Sequence, residues 1–523
     1  MVNMVRGIVQ QSLYIKVSDK MNSTKIKHLI QFIIFLIIAA LLFTMNTYLF
    51  RNNNWEQQHI NGIKNEHDLD MVCVGGSSTF VYWEPFLAWN EFGMTSYDYA
   101  TVSNRPAIMK EYIKSAIEKA HPKFLLIDLR CYTGDAISAE DLTSAEGGLR
   151  NMTDSLDLNL TRLQTVNDIM RFYDGFHDDD EDPWSYYFDI GKYHVNYAQL
   201  GVPDNWKHVF NGQYKSPYKG FEFITTISYQ DFLSKPQDYK TSAIGKLDPM
   251  SEKYLYELLD YVKKTGVQAL FVAPVLPVDK YAELQYNRIN QIVSSYGFKF
   301  LNTNDYYDEM GIDFSKDFYN SGHVNVYGAE KYTRFVADYI RKNYQIDDHR
   351  NDSNYDSWNK FYEDAHQQDL LLKKTIDDVI KQKNITHSNG EKMQSETDYL
   401  RWRELAEDTG FSIVCVSKGK VPEIDARYPW NISKGQDNII RVYSAGSSVY
   451  ESNETADADY SGTIGTHSIP IIANSGDKAK IIISDTEIPI TDSGVYIAVF
   501  DNGYNELMDA IKIGEDGSLR HIK

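Results

Sequence analysis

The chain has 523 residues, 42% of them hydrophobic and 24% charged, and carries a formal net charge of −20 at pH 7. This length calls for two or three domains, and the acidity excludes nucleic acid as a partner, because no basic stripe is available to neutralise phosphates. Only three cysteines occur, Cys73, Cys131 and Cys415; they make neither a disulfide framework nor a zinc spacing and read as buried free thiols.

The first predicted element is LIQFIIFLIIAALLFTMNTYLF, Leu29 to Phe50, an uncharged stretch that as a helix reaches about 30 Å, enough for a bilayer core. Arg6, Lys16, Lys20, Lys25 and Lys27 precede it, so residues 1–28 are expected in the cytoplasm and residues 52–523 outside. The length of the stretch, and the lack of a small-x-small site close behind it, favour an uncleaved single-pass anchor over a signal peptide.

From residue 68 to 344, short apolar runs alternate with amphipathic stretches. MVCV (71–74), KFLLIDL (123–129), QALFVAPV (268–275) and FKFLN (298–302) read as strands. RPAIMKEYIKSAIEKA (105–120), MSEKYLYELLDYVKKTG (250–266) and YAELQYNRINQIVSSYG (281–297) read as helices, the first with Pro in its opening turn. This order predicts a three-layer α/β domain with a parallel sheet, and a ligand crevice at the carboxyl ends of its strands. Residues 140–245 interrupt the pattern and are expected to form loops and short helices over that crevice. Within them HDDDEDP (177–183) lacks the glycine and glutamate spacing of a calcium loop and reads as a solvated acidic segment. Residues 345–398 are polar and helix-prone, as in DLLLKKTIDDVIKQK (369–383), and look like a spacer. From 399 to 523 the texture turns to β, with FSIVCVS, KIIIS (480–484), GVYIAVF (494–500) and a hairpin turn at Asn502-Gly503.

Two copies of Gly-Ser-Ser raise the question of a nucleophile. In DMVCVGGSSTF (70–80) a buried strand ends in Gly75-Gly76, which permit a tight turn and deliver Ser77 into the crevice. In YSAGSSVYES (443–452) Ser447 lies in the β-rich part with no strand-to-helix transition, and reads as a loop. A serine needs a base. His323, in DFYNSGHVNVYGAEKYTRFVADYI (317–340), sits on a turn-rich stretch after the last strand, at the same edge of the sheet as Ser77.

Gly75-Gly76-Ser77 resembles the first motif of the SGNH (GDSL-type) hydrolases, and Asn320-x-x-His323 followed by VNVYGAEK resembles their last, Asp-x-x-His before a helix. SYDYATVSNRP (96–106), HPKFLLIDL (121–129) and KYHVNYAQL (192–200) are similar to the branch that includes DltD, the D-alanine transfer protein of teichoic acid assembly, and membrane-anchored alginate acetylation proteins. The resemblance spans about residues 68–344. It implies a flavodoxin-like three-layer fold and an esterase or O-acyltransferase acting on a cell-envelope polysaccharide of a bacterial membrane. An MBOAT-type membrane acyltransferase is an implied partner, and neither a cofactor nor a metal is implied. Carried over, Ser77 is the nucleophile and His323 the base, with the oxyanion held by the Ser77 amide, an amide near Ala100 and the side chain of Asn104. Arg105 suits either an anionic substrate group or a helix start. The chain departs from the pattern where the triad Asp is replaced by Asn320; Asp317 or Asp313 is the alternative acid. GVYIAVFDNGYNELMDAIKI (494–513) resembles bacterial ILEI-type β domains, which implies glycan binding. Because of Asn320, a non-catalytic scaffold with a glycan-binding module is the competing expectation.

Overall fold

Met71–Gly75 (β1), Ser96–Ala100 (β2), Phe124–Asp128 (β3), Gln268–Ala273 (β4) and Lys299–Asn302 (β5) form one parallel sheet in the order β2-β1-β3-β4-β5. The computed structural model describes residues 25–43, 49, 55–102, 104–137, 148–171, 184–188, 216–224, 233–419, 438–452, 457–465 and 468–523, with scattered positions between 190 and 206. β1, β2 and β3 are buried along their whole length, which explains their unbroken runs. After β1 the chain moves outward to β2 and then crosses back to β3 on the other side. That reversal opens a crevice beyond the carboxyl ends of β1 and β3. Right-handed crossovers put the intervening helices on opposite faces. Pro85–Phe92 packs with Val326–Asn343, and Pro106–Ala120 packs with Pro249–Thr265.

β2 is the strand the sequence hides. SYDYA carries Ser96 and Asp98 among its tyrosines, yet all five residues are buried, with Asp98 opposite Cys73 of β1. Desolvation raises the pKa of that carboxyl well above its ordinary value.

Of the expected insertion, residues 216–224 reach the segment after β1, where the Glu222 amide donates to the Phe80 carbonyl at 2.7 Å, while the earlier part packs elsewhere. Its helix Leu160–Met170 packs on Pro106–Ala120, and Arg162 reaches Asp154 of the preceding helix at 3.3 Å. The acidic run 177–183 and positions 194, 197, 199 and 200 lie outside the described residues.

The helical spacer expected over residues 345–398 is packed against both domains. Asp356–Met393 is a single helix of 38 residues. Trp358, Ala365, Leu372 and Ile376 repeat at intervals of seven, seven and four, and that stripe is buried in the core of the α/β domain. Trp89 Nε1 donates to Asn359 Oδ1 at 3.1 Å across the same seam. Further along, Met393 enters a second core under the β domain together with Trp402.

That domain is a sandwich of two antiparallel sheets. Phe411–Lys418 and Gly494–Asp501 are central to a six-stranded sheet, and four strands from Asp459 to Pro489 cover one of its faces. The Asn502-Gly503 signal lies in a four-residue connection between Gly494–Asp501 and Glu506–Ile513, with Asn505 in the left-handed region at φ 53°. The second Gly-Ser-Ser is a tight hairpin. Ala445 and Gly446 both have positive φ, and Ser447 opens an exposed strand instead of a loop.

At the N-terminus, Lys25–Phe43 is a helix with a mean hydropathy of 2.4 over 18 residues, long and apolar enough to cross a membrane. Residues 44–48 and 50, the end of the predicted span, lie outside the described residues.

Candidate active site

The turn after β1 is built around its first glycine. A Cβ on Gly75 would collide with Thr79 Oγ1 and lie 2.7 Å from the Asp128 Cβ, so no side chain fits there. Gly76 is different: its backbone is extended (φ −98°), and an added Cβ would meet only ordinary contacts, the nearest at 3.7 Å. Ser77–Phe80 then forms one helical turn. Asp128, the last residue of β3, holds that turn from the neighbouring strand. Its Oδ2 accepts from the Ser78 hydroxyl and, at 3.5 Å, from Thr79 Oγ1, while its Oδ1 accepts the Arg130 amide at 2.7 Å. Burial raises the Asp128 pKa, and these donors oppose the rise.

The histidine comes from a small ribbon, Phe318–Asn320 (β6) paired with His323–Val324 (β7). Arg130 Nη1 donates to the Gly322 carbonyl at 2.6 Å and ties the tip of the ribbon to the end of β3. Behind it Asn325 caps the helix Val326–Asn343, accepting from the Tyr327 amide at 2.9 Å. These supports bring together residues 246 positions apart: Ser77 Oγ lies 2.7 Å from His323 Nε2.

The third member is Asn320. Its Oδ1 accepts the Gly322 amide at 2.8 Å and lies 3.1 Å from His323 Nδ1. A backbone N–H can only donate, so this contact fixes which end of the amide faces the imidazole. Nδ1 therefore carries the proton, and Nε2 presents its lone pair to the Ser77 hydroxyl. Burial, reinforced by the Arg130 guanidinium, lowers the His323 pKa to about 4, so the ring is neutral at pH 7. The geometry is that of a nucleophile and its base. The electrostatics are not those of a full triad, because no carboxylate stands behind the ring.

Neither alternative acid fills that place. Asp317 is buried with its Oδ2 on Lys331 Nζ at 2.6 Å and on the Asp313 amide at 2.7 Å, bracing the ribbon's base. Asp313 is exposed and caps Ser315, whose amide lies at 2.9 Å. Both carboxylates are used locally, and Asn320 alone meets Nδ1.

A cavity of about 270 Å³ opens beside Ser77, lined by Asn104, Arg105, Arg130 and Thr133 among others. The donors expected around an oxyanion are placed differently. Ala100 is fully buried in the β2 ladder, paired with Gly75, and is not part of the lining. Asn104 Nδ2 donates to the Gly75 carbonyl at 3.0 Å and to Met109 Sδ at 3.2 Å, so both amide hydrogens are engaged. The Ser77 amide, opening a helical turn, is the donor that the local geometry leaves at this position. Arg105 serves both expectations: it precedes Pro106 at the helix start and its side chain lines the cavity.

Arg130 and Asp128 escaped the sequence reading. The signal was present in IDLRCYTG, since charged residues directly after a buried parallel strand at the switch point face the crevice. For a metal, the described residues offer one cluster, Asp70, Asp347 and His349, before the start of β1 and far from Ser77. The Lys123 ammonium already lies 3.0 Å from Asp70 and 3.2 Å from Asp347, supplying the cation.

No protein-family model matches the chain, and no curated protein matches it.

Proposed function

We propose that this chain is a membrane-anchored SGNH-type esterase or O-acyltransferase that works through an acyl-Ser77 intermediate on a cell-envelope polysaccharide. The observation that carries the reading is the 2.7 Å contact between Ser77 Oγ and the unprotonated Nε2 of His323, in a cavity at the switch point of the sheet. Ser77 Oγ attacks the acyl carbonyl while its proton passes to Nε2. The tetrahedral intermediate collapses, its C–O bond to the donor breaks, and the leaving oxygen takes the proton from Nε2. A sugar hydroxyl or water then gives its proton to Nε2 and attacks the acyl-serine carbonyl; the acyl C–Oγ bond breaks, and Ser77 Oγ takes the proton back from Nε2. The Ser77 amide stabilises the oxyanion, and the guanidiniums of Arg105 and Arg130 favour an anionic glycan beside the ester. The apolar helix Lys25–Phe43 anchors the site on the outer side of a bacterial membrane, where an MBOAT-type partner can supply the acyl group.

Asn320 supports a second reading, a non-catalytic scaffold whose sandwich domain binds glycan. Replacing the triad Asp by Asn costs about four decades of rate in a serine hydrolase, and Arg130 further disfavours an imidazolium here. The two readings part on turnover. The full chain in detergent is expected to hydrolyse an aryl acetate at a rate abolished by Ser77→Ala; no Ser77-dependent turnover on aryl or glycan esters favours the scaffold.

A further inference from the structure

A second cavity, of about 380 Å³, flanks the same edge of the sheet on its other side. Its lining mixes four aromatic side chains with the aliphatic Val81, Val102 and Ile224. Trp55 packs edge-on against Phe80 with centroids 4.6 Å apart, Phe223 belongs to a cluster with Phe86, and Tyr319 stands next to Asn320 with its ring 6.4 Å from that of His323. The segment carrying Phe223 is pinned there by the Glu222 amide, which donates to the Phe80 carbonyl at 2.7 Å.

Two carboxylates line this groove, Glu56 and Glu222. Glu56 is only 9% exposed, and its carboxylate meets its own helix-opening amide. Among the described residues no lysine, arginine or histidine pairs with either one. Each instead suffers from burial, and Glu222 also from the charge of Glu56, so that its pKa stands at about 7. Two acids sharing one half-buried cavity, with no cation among the described residues, are costly. The aromatic rings in the same lining supply the complement of a large, weakly hydrated cation, since such an ion gains from ring quadrupoles and carboxylates together.

We infer that the groove between Trp55, Phe80, Phe223 and Tyr319 binds a methylated ammonium group, held by Glu56 and Glu222 beside the Ser77–His323 pair. A bare metal ion or a small inorganic cation would leave the aromatic rings idle, and a neutral apolar group would leave the two acids unpaired. A quaternary ammonium uses both. Because Tyr319 adjoins the ribbon that carries His323, a bound cation lies next to the reacting centre and makes the groove a specificity subsite for whatever that centre processes.

The site is tested by binding alone, so its outcome is separate from that of the proposed chemistry. Full-length Ser77→Ala protein in detergent is titrated with tetramethylammonium and choline by calorimetry, with 3,3-dimethylbutanol as the neutral isostere. The expected result is saturable binding of both cations, no binding of the alcohol at the same concentrations, and a loss of about tenfold or more in Glu56→Gln/Glu222→Gln and in Trp55→Leu. Glu222→Gln alone, at a half-buried position, provides a folded variant if the double one fails, and is expected to weaken binding in the same direction. Equal binding of the alcohol, affinity unchanged in Glu222→Gln, or no cation binding at all overturns the inference.

Discussion

Asn320→Asp changes one atom at the point where this site departs from a charged triad. The aspartate keeps both contacts of Oδ1, the Gly322 amide at 2.8 Å and His323 Nδ1 at 3.1 Å, and adds a full negative charge beside the ring. Two unit charges about 4 Å apart interact by about 4 kcal/mol at an effective dielectric of about 20. That corresponds to a rise of up to about three pKa units for the imidazole, enough to offset burial and Arg130, which together hold it at about 4. A stronger base at the same 2.7 Å from Ser77 Oγ raises the rate of acylation. The gain in kcat/KM on an aryl acetate is expected between one and three decades, inside the roughly 10⁴ of the reverse change. The pH profile gives the sign independently. Wild type loses its base only as pH falls through about 4, whereas in Asn320→Asp the acid limb moves up toward neutrality and the advantage shrinks as pH drops below it. Stopped-flow hydrolysis from pH 4 to 9 measures both. A Ser77-dependent wild-type rate that is unchanged or lower at pH 8 in Asn320→Asp refutes the reasoning, because a missing charge would then not be what limits the base.

Gly75→Ala is expected to destabilise the fold by about 1–3 kcal/mol in urea unfolding, since its Cβ would lie 2.7 Å from that of Asp128, while Gly76→Ala should fold like wild type. Arg130→Met removes the guanidinium that disfavours the imidazolium and should raise the His323 titration midpoint seen by NMR, while loosening the Gly322 loop it holds at 2.6 Å. Asp317→Ala removes the carboxylate 2.6 Å from the part-exposed Lys331 ammonium, which keeps the Gly311 carbonyl, and should cost about 1–3 kcal/mol of stability; Asp313→Ala, at an exposed position, should cost less than about 1 kcal/mol. Neither change should lower the Ser77 rate per folded molecule as removal of the acid behind His323 would.

Much of the α/β domain was legible because its central strands are buried on both faces, so MVCV, FLLID and ALFVA appear as unbroken runs. β2 was not, because Asp98 and Ser96 occupy core positions, and a buried acid looks like a surface residue in sequence. Ser77 and His323 could be read from their places at strand ends. Their supports were harder to find: Arg130 and Asp128 lie at the end of a buried strand at the switch point, but their partners, the Gly322 carbonyl and the Ser78 hydroxyl, come from segments distant in sequence. The helix of 345–398 was legible from its texture, but its packing was not, because its polar face obscures the buried stripe of Trp358, Ala365, Leu372 and Ile376.

The central claim, that Ser77 is a nucleophile activated by His323, is tested most directly by mapping a fluorophosphonate adduct on the full-length protein by peptide mass spectrometry. A covalent phosphonate on the peptide containing Ser77 is predicted, lost in Ser77→Ala, strongly slowed in His323→Ala and unaffected by Ser447→Ala. An adduct that survives Ser77→Ala, or forms as fast without the imidazole, would contradict it.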